Sequence, residues 1–203
     1  MYKYLPRIVL LCVVLCLIFS SMVQGRAKQD FKSEKDKQEL SAAYPAYCVV
    51  THDVGKMHLS ISNYGFFGSG FALNPLDCFT GQFSPSCEFP AGSNNEYLYG
   101  AAIWVGAVVD GDTLVSIGFD GWQLCRELHP DDPPKGNIIE RSILNPATPE
   151  AISEQDFIAI YTDTFTSDVP NLCNDYIDQR PHIPLNIEIT QSSYAWSYAF
   201  AED

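Results

Sequence analysis

Residues 97–119, YLYGAAIWVGAVVDGDTLVSIGF, limit what this chain can fold into more than any other stretch. Two apolar runs are joined by Asp110-Gly111, a pair suited to a two-residue type I′ turn because both turn positions need positive φ. The spacing predicts an antiparallel hairpin with Trp104 opposite Ile117 and Ala102 opposite Phe119, so that large side chains face smaller ones. Before the turn both faces are apolar, with Ile103, Val105 and Val109 on one and Ala102, Trp104 and Val108 on the other. That pattern predicts a central strand covered on each side. The two aspartates do not make a calcium loop. Counted from Asp110, the ligand, glycine and glutamate of an EF-hand would fall on Leu114, Val115 and Gly121.

Short strands separated by turns continue through the chain. KMHLSIS (56–62) alternates, with Met57, Leu59 and Ile61 on one face and His58, Ser60 and Ser62 on the other, and so predicts a half-buried strand. NYGFFGSGF (63–71) holds Gly65, Gly68 and Gly70, but the spacing is wrong for a phosphate loop and no lysine follows. Positive-φ turns are expected there. Residues 123–149, with five prolines, predict a long surface excursion with a short strand at NIIE. Ser153 and Asp156 form a capping-box pattern ahead of Phe157, Ile160, Tyr161 and Phe165, which predicts one short helix. In LNIEITQSSYAWSYAFAED the apolar positions shift from odd (Leu185, Ile187, Ile189) to even (Tyr194, Trp196, Tyr198, Phe200). The shift predicts a bulge or sharp bend at 191–193. Strand pattern runs to within two residues of Asp203, from which we expect either a truncated chain or a sheet completed by another partner. The fold class expected is mainly β, an antiparallel β-sandwich-like domain with one short helix and long Pro-rich loops.

Residues 1–25 carry Lys3 and Arg7 ahead of an apolar run from Ile8 to Phe19, with Val23 and Gly25 at a plausible cleavage point. The run is shorter than the roughly 20 residues a membrane span needs, so it reads as a secretory signal peptide. Residues 26–43 are a charged, polar tether, and 44–203 the β-rich domain. Cleavage removes both cations and takes the net charge from −13 to −15. The remaining basic residues of the domain stand singly, which excludes nucleic acid and, once the signal is gone, anionic membrane surfaces as partners.

Cys12 and Cys16 leave with the signal; Cys48, Cys78, Cys87, Cys125 and Cys173 remain in a compartment where disulfides persist. Spacing alone does not define their pairing. DCFTGQFSPSC makes Cys78–Cys87 the most economical disulfide, because Gly81 and Pro85 let the loop fold back; buried free thiols are the alternative. No C-x-x-C pair occurs, so neither a zinc knuckle nor a thioredoxin-type site is expected.

Chemistry-bearing patterns are sparse. Among the histidines, His52, His58, His129 and His182, the first two would lie about 20 Å apart on an unbroken strand. Only a turn at Val54-Gly55 would bring them together, so structural roles are expected, with no metal and no cofactor. The G-x-S-x-G elbow is missing, and FGSGF does not supply it; no catalytic residue is assigned. Glycoside hydrolysis needs two carboxyls about 5–9 Å apart across a cleft, and Asp120, Glu127 and Glu96 are the first choices. Trp122, between Gly121 and Gln123 just after a strand, is the expected ligand-binding platform, with a wedge at the end of the sandwich as its bland alternative. The row Tyr194, Trp196, Tyr198 and Phe200 is expected to pack against protein rather than stack on sugar rings.

ISNYGFFGSGF, CEFPAGSNNEYLYGAAIWVGAVVDGDTLVS and SYAWSYAFAED together resemble the N-terminal region of large exported proteins of Bacteroidota-like bacteria that end in a type IX secretion sorting domain. The resemblance spans roughly residues 50–203; the sorting domain itself is not within these residues. It implies a secreted or cell-surface, β-rich module and carries no catalytic residues with it. The expected function is a non-catalytic module for adhesion, ligand binding or architecture, partnered by an extracellular ligand, other surface proteins or the remainder of its own chain. The alternative is the N-terminal part of a secreted hydrolase acting on polysaccharide or protein. An exposed aromatic platform marks the first; a cleft with two carboxylates or a His-based dyad marks the second.

Overall fold

A computed structural model describes residues 46–70, 75–121 and 124–197. The expected signal peptide and tether, Trp122, Tyr198 and Phe200 lie outside these residues. Eleven strands form among the described residues: β1 (Val49–His52), β2 (His58–Ser62), β3 (Phe66–Phe67), β4 (Cys87–Glu88), β5 (Ala101–Ala102), β6 (Trp104–Val109), β7 (Asp112–Ile117), β8 (His129–Pro130), β9 (Ile139–Arg141), β10 (Gln155–Thr162) and β11 (Glu188–Ala195). They make a five-stranded sheet, β1-β2-β3-β5 with β4 also on β2; a four-stranded sheet, β11-β10-β8 with β9 also on β10; and a separate β6-β7 ribbon. Every ladder is antiparallel. The fold is mainly β.

The two larger sheets share one core. Val50 of β1 and Ile61 of β2 pack with Phe157, Ala159 and Tyr161 of β10, and Leu128 and Ile138 from the connecting segments complete the cluster. Burying a side chain of this size contributes about 1.5–3 kcal/mol. Both β1 and β10 are covered so fully that polar groups must be paired inside. In β2 the expected solvated face is also buried. Ser60 donates to the Pro85 carbonyl, and the Ser62 hydroxyl donates to the Phe66 carbonyl at 2.8 Å while accepting its N–H at 2.9 Å. Gly65, Gly68 and Gly70 do take positive φ, +73°, +86° and +65°.

The Asp110-Gly111 turn is as expected: φ is +53° and +95°, and Trp104 pairs with Ile117. Its surroundings are not. The ribbon has two strands alone, and most of β6 is exposed rather than covered on both faces. Ala102 does not face Phe119; it belongs to β5 and pairs with Phe66.

The expected helix is a strand. Among the described residues no helix forms, and 155–162 runs as β10, the centre of its sheet. Phe157, Ala159 and Tyr161 point into the core, while Ile158 and Ile160 are half-buried on the other face. A strand apolar on both sides shows no period of two, so its apolar residues also match a helical spacing. β-branched and aromatic residues in QDFIAIYT favour the strand. The Ser153–Asp156 contact exists, with reversed roles: the carboxylate accepts the Ile152 N–H (2.7 Å), the Ser153 N–H (2.8 Å) and the Ser153 hydroxyl, closing a turn before β10.

Nor is β11 bulged. Its eight residues pair one to one with β10, from Glu188↔Thr162 to Ala195↔Gln155. Odd positions face inward throughout, occupied first by Ile189 and then by Gln191, Ser193 and Ala195. Tyr194 and, just past the strand, Trp196 are partly exposed instead of filling an interior.

The disulfide pairing also differs from expectation. Cys48 joins Cys78 (Cα–Cα 5.7 Å) and Cys125 joins Cys173 (5.5 Å), both within disulfide reach, and Cys87 is free. Cys78 is drawn to β1 because the 76–84 loop lies along that strand: Cys78 N–H donates to the Val49 carbonyl, and Thr51 N–H donates to Asp77. Cys87 meanwhile is held in β4 against Leu59.

Candidate functional site

A cavity of about 750 Å³ opens beside the ribbon and lies within the usual size of ligand pockets. One wall comes from β6 and β7 through Trp104, Val115 and Ile117; the other is the 173–177 loop with Tyr176 and Ile177. A two-stranded ribbon has no third strand or layer to cover Trp104, which is 62% exposed. Its ring is nevertheless fixed, because the indole N–H donates to the Phe119 carbonyl at 3.0 Å. Tyr176 and Ile177 are nearly free of protein contact.

The loop wall is tied at its base. Cys125–Cys173 crosses from the segment after the ribbon to the loop, and Arg126 N–H donates to the Asn171 carbonyl at 2.9 Å. Three carboxylates line the same space, Asp120, Glu127 and Asp175. Each is already engaged by backbone. Asp120 accepts Cys125 N–H (3.2 Å), Glu127 accepts Ile117 N–H (3.1 Å), and Asp175 accepts Ile177 N–H (2.7 Å) and Asp178 N–H (3.2 Å). Those two N–H groups hold the Asp175 carboxyl below its ordinary range.

Glu127 also anchors His182. The imidazole Nδ1 is 3.1 Å from Glu127 Oε1 and Nε2 is 2.8 Å from the Asp163 carbonyl, so both nitrogens face acceptors. Burial opposes charge on the ring, but the Glu127 and Asp163 acceptors outweigh it and raise its pKa above the ordinary value. Asp163 in turn accepts Ser116 Oγ–H (2.7 Å) and the N–H groups of Leu185 and Ile187. Glu127 on the cavity wall is therefore held by His182, within a hydrogen-bonded network that runs on to Asp163 and Ser116.

Glu96, the third expected carboxylate, lies apart from this cavity and accepts Cys87 N–H at 2.8 Å. The histidines do not converge. A turn at 53–57 does fold β1 onto β2, placing His52 opposite Leu59, yet His52 bonds Gln155 and Ser193 while His58 lies 3.3 Å from Glu88. Among the described residues no group of three or more His, Cys, Asp or Glu is placed to hold a metal ion. Trp104 was legible as a hairpin residue but not as a platform, and Tyr176 carried no signal in its polar loop. Comparison with protein-family models, curated proteins and solved structures finds no match to this chain.

Proposed function

We propose that the protein is a secreted or cell-surface module that captures an extracellular ligand in the cavity beside the ribbon, without doing chemistry on it there. One observation carries this reading: Trp104 is largely exposed, yet its ring is set in place by its own hydrogen bond. A platform held rigid before binding loses little side-chain entropy when a flat ligand face, such as a sugar ring, stacks on it. The lining carboxylates support binding over catalysis, since backbone N–H groups and His182 already occupy them. The two disulfides and the resemblance to exported Bacteroidota-like proteins support an extracellular setting.

Screening on a glycan array tests the reading. A hit should weaken about 5- to 150-fold in Trp104→Ala and less in Trp104→Phe, the equivalent of roughly 1–3 kcal/mol for stacking on an aromatic ring. Turnover of a glycosidase or protease substrate that is abolished by Glu127→Gln or Asp120→Asn would overturn it.

A further inference from the structure

A second cavity, about 350 Å³, lies elsewhere and is mostly apolar, walled by Met57, Leu59, Ile61, Phe67 and Trp196. Polar side chains also line it: His52 from β1, Ser193 and Tyr194 from β11, and Lys56 from the turn between β1 and β2. Ser193 is an inward position of β11 that carries a hydroxyl where an apolar residue would be ordinary. Its Oγ is 3.0 Å from His52 Nε2. His52 Nδ1 is 3.0 Å from Gln155 Oε1, and the ring rests on Phe157 with centroids 4.7 Å apart.

The direction of these bonds follows from their surroundings. Gln155 Oε1 also accepts the Asp53 backbone N–H (3.1 Å), while Gln155 Nε2 donates to Asp53 Oδ1 (2.9 Å) and Glu140 Oε1 (3.4 Å). A backbone N–H only donates and a carboxylate only accepts, so the amide has one orientation. Its oxygen must then receive a proton from His52 Nδ1. Neutral His52 is left with its lone pair on Nε2, and the Ser193 hydroxyl donates to it at 3.0 Å in preference to the Phe157 carbonyl, which lies farther off at 3.4 Å. Burial keeps the ring neutral at pH 7, lowering its pKa against the pull of Gln155, Asp53 and Asp156. A nucleophile, a base and an orienting group in this order are what acyl transfer requires.

We propose that Ser193 is an acyl-accepting nucleophile for carboxylic esters with an apolar acyl chain, with His52 as its base and Gln155 as the positioning residue. Ser193 Oγ forms a bond to the ester carbonyl carbon as its proton passes to His52 Nε2. The tetrahedral adduct collapses, the C–O bond to the alcohol breaks, and the leaving alkoxide takes that proton. Water, deprotonated by His52, then releases the carboxylic acid and restores Ser193. Asp53, one hydrogen bond beyond Gln155, and Asp156 favour the imidazolium formed between these steps. The apolar walls receive the acyl chain. This inference goes beyond the binding reading and does not depend on it, since the two cavities share no lining residue.

The test treats the full chain with an alkyl fluorophosphonate, which bonds to an activated serine oxygen and loses fluoride. Peptide mapping by mass spectrometry should place one adduct on Ser193, and an activated butyrate ester should acylate the same residue. His52→Gln should slow labelling by roughly 10²-fold or more, the range of general-base contributions, with its melting curve showing a folded protein. Gln155→Glu should move the pH midpoint of labelling upward, because a carboxylate partner favours the imidazolium. Absence of label on wild-type Ser193, or labelling at an equal rate in folded His52→Gln, would overturn the proposal. An unmoved midpoint would remove Gln155 from it.

Discussion

His129 is wholly buried and half satisfied. Tyr47 Oη lies 2.7 Å from Nδ1, Nε2 has no hydrogen-bond partner among the described residues, and the Arg126 guanidinium sits nearby over the Tyr47 and Tyr64 rings at 5.3 and 4.4 Å. Burial, then the charges of Arg126 and His182, bring its pKa from 6.5 down to about 4. The unfolded chain therefore binds this proton first. Stability from a neutral His129 is full above pH 6.5 and is lost as pH falls toward 4, by about 3 kcal/mol. His52 acts in the same direction and His182 in the opposite one, its contribution being present below pH 6.5 and lost as pH rises through its raised folded value. Urea unfolding at pH 7 and pH 4.5 should show the loss, and His129→Gln should reduce it. Asp156 and Asp175, held below the ordinary carboxylate range, add their losses only at lower pH.

At the scale of elements, what could be read from sequence was local and what could not was shared between distant segments. The Asp110-Gly111 turn was legible because positive φ at two successive positions is a property of two residues. Whether β6 would be covered depends on strands far away in the chain, and among the described residues none pairs with it besides β7. β10 was mistaken for a helix because burial on both faces erases its period. β11 misled in the reverse way: its geometry is regular, but Gln191 and Ser193 occupy inward positions, so hydrophobicity shifts while the backbone does not. Gln191 is inward to accept the Tyr161 hydroxyl at 3.0 Å, and Ser193 to meet His52. Both departures in pattern mark polar contacts in the core, one of them the Ser193 site. Gly111→Ala tests the ribbon alone. Nothing lies within 4 Å of the added Cβ, so the cost is backbone strain at φ +95°, about 1–2 kcal/mol. Amide exchange should quicken in 104–117 and stay unchanged in β10 and β11.

For the molecule as a whole, two sheets around one core and two covalent ties hold loops that have little regular structure. That disulfides could form was legible from five cysteines in the domain, while the pairing was not, because it depends on which loop lies beside which strand. The sequence separations of 30 and 48 residues predict that each tie restricts the unfolded chain by about 3.5–4 kcal/mol on the chain-entropy account. Mass spectrometry should find two disulfides among Cys48, Cys78, Cys125 and Cys173 and leave Cys87 alkylatable without reductant. Adding reductant should lower the melting temperature markedly.

Cys125–Cys173 has a further consequence, because it fastens the outer wall of the larger cavity to the base of the ribbon. With that strut cut, Tyr176 and Ile177 would swing on a slack tether while Trp104 stayed put, and a pocket would become a bare shelf. Under the proposed binding role, grip on a ligand would then vanish in thiol-rich surroundings well before the fold itself gave way.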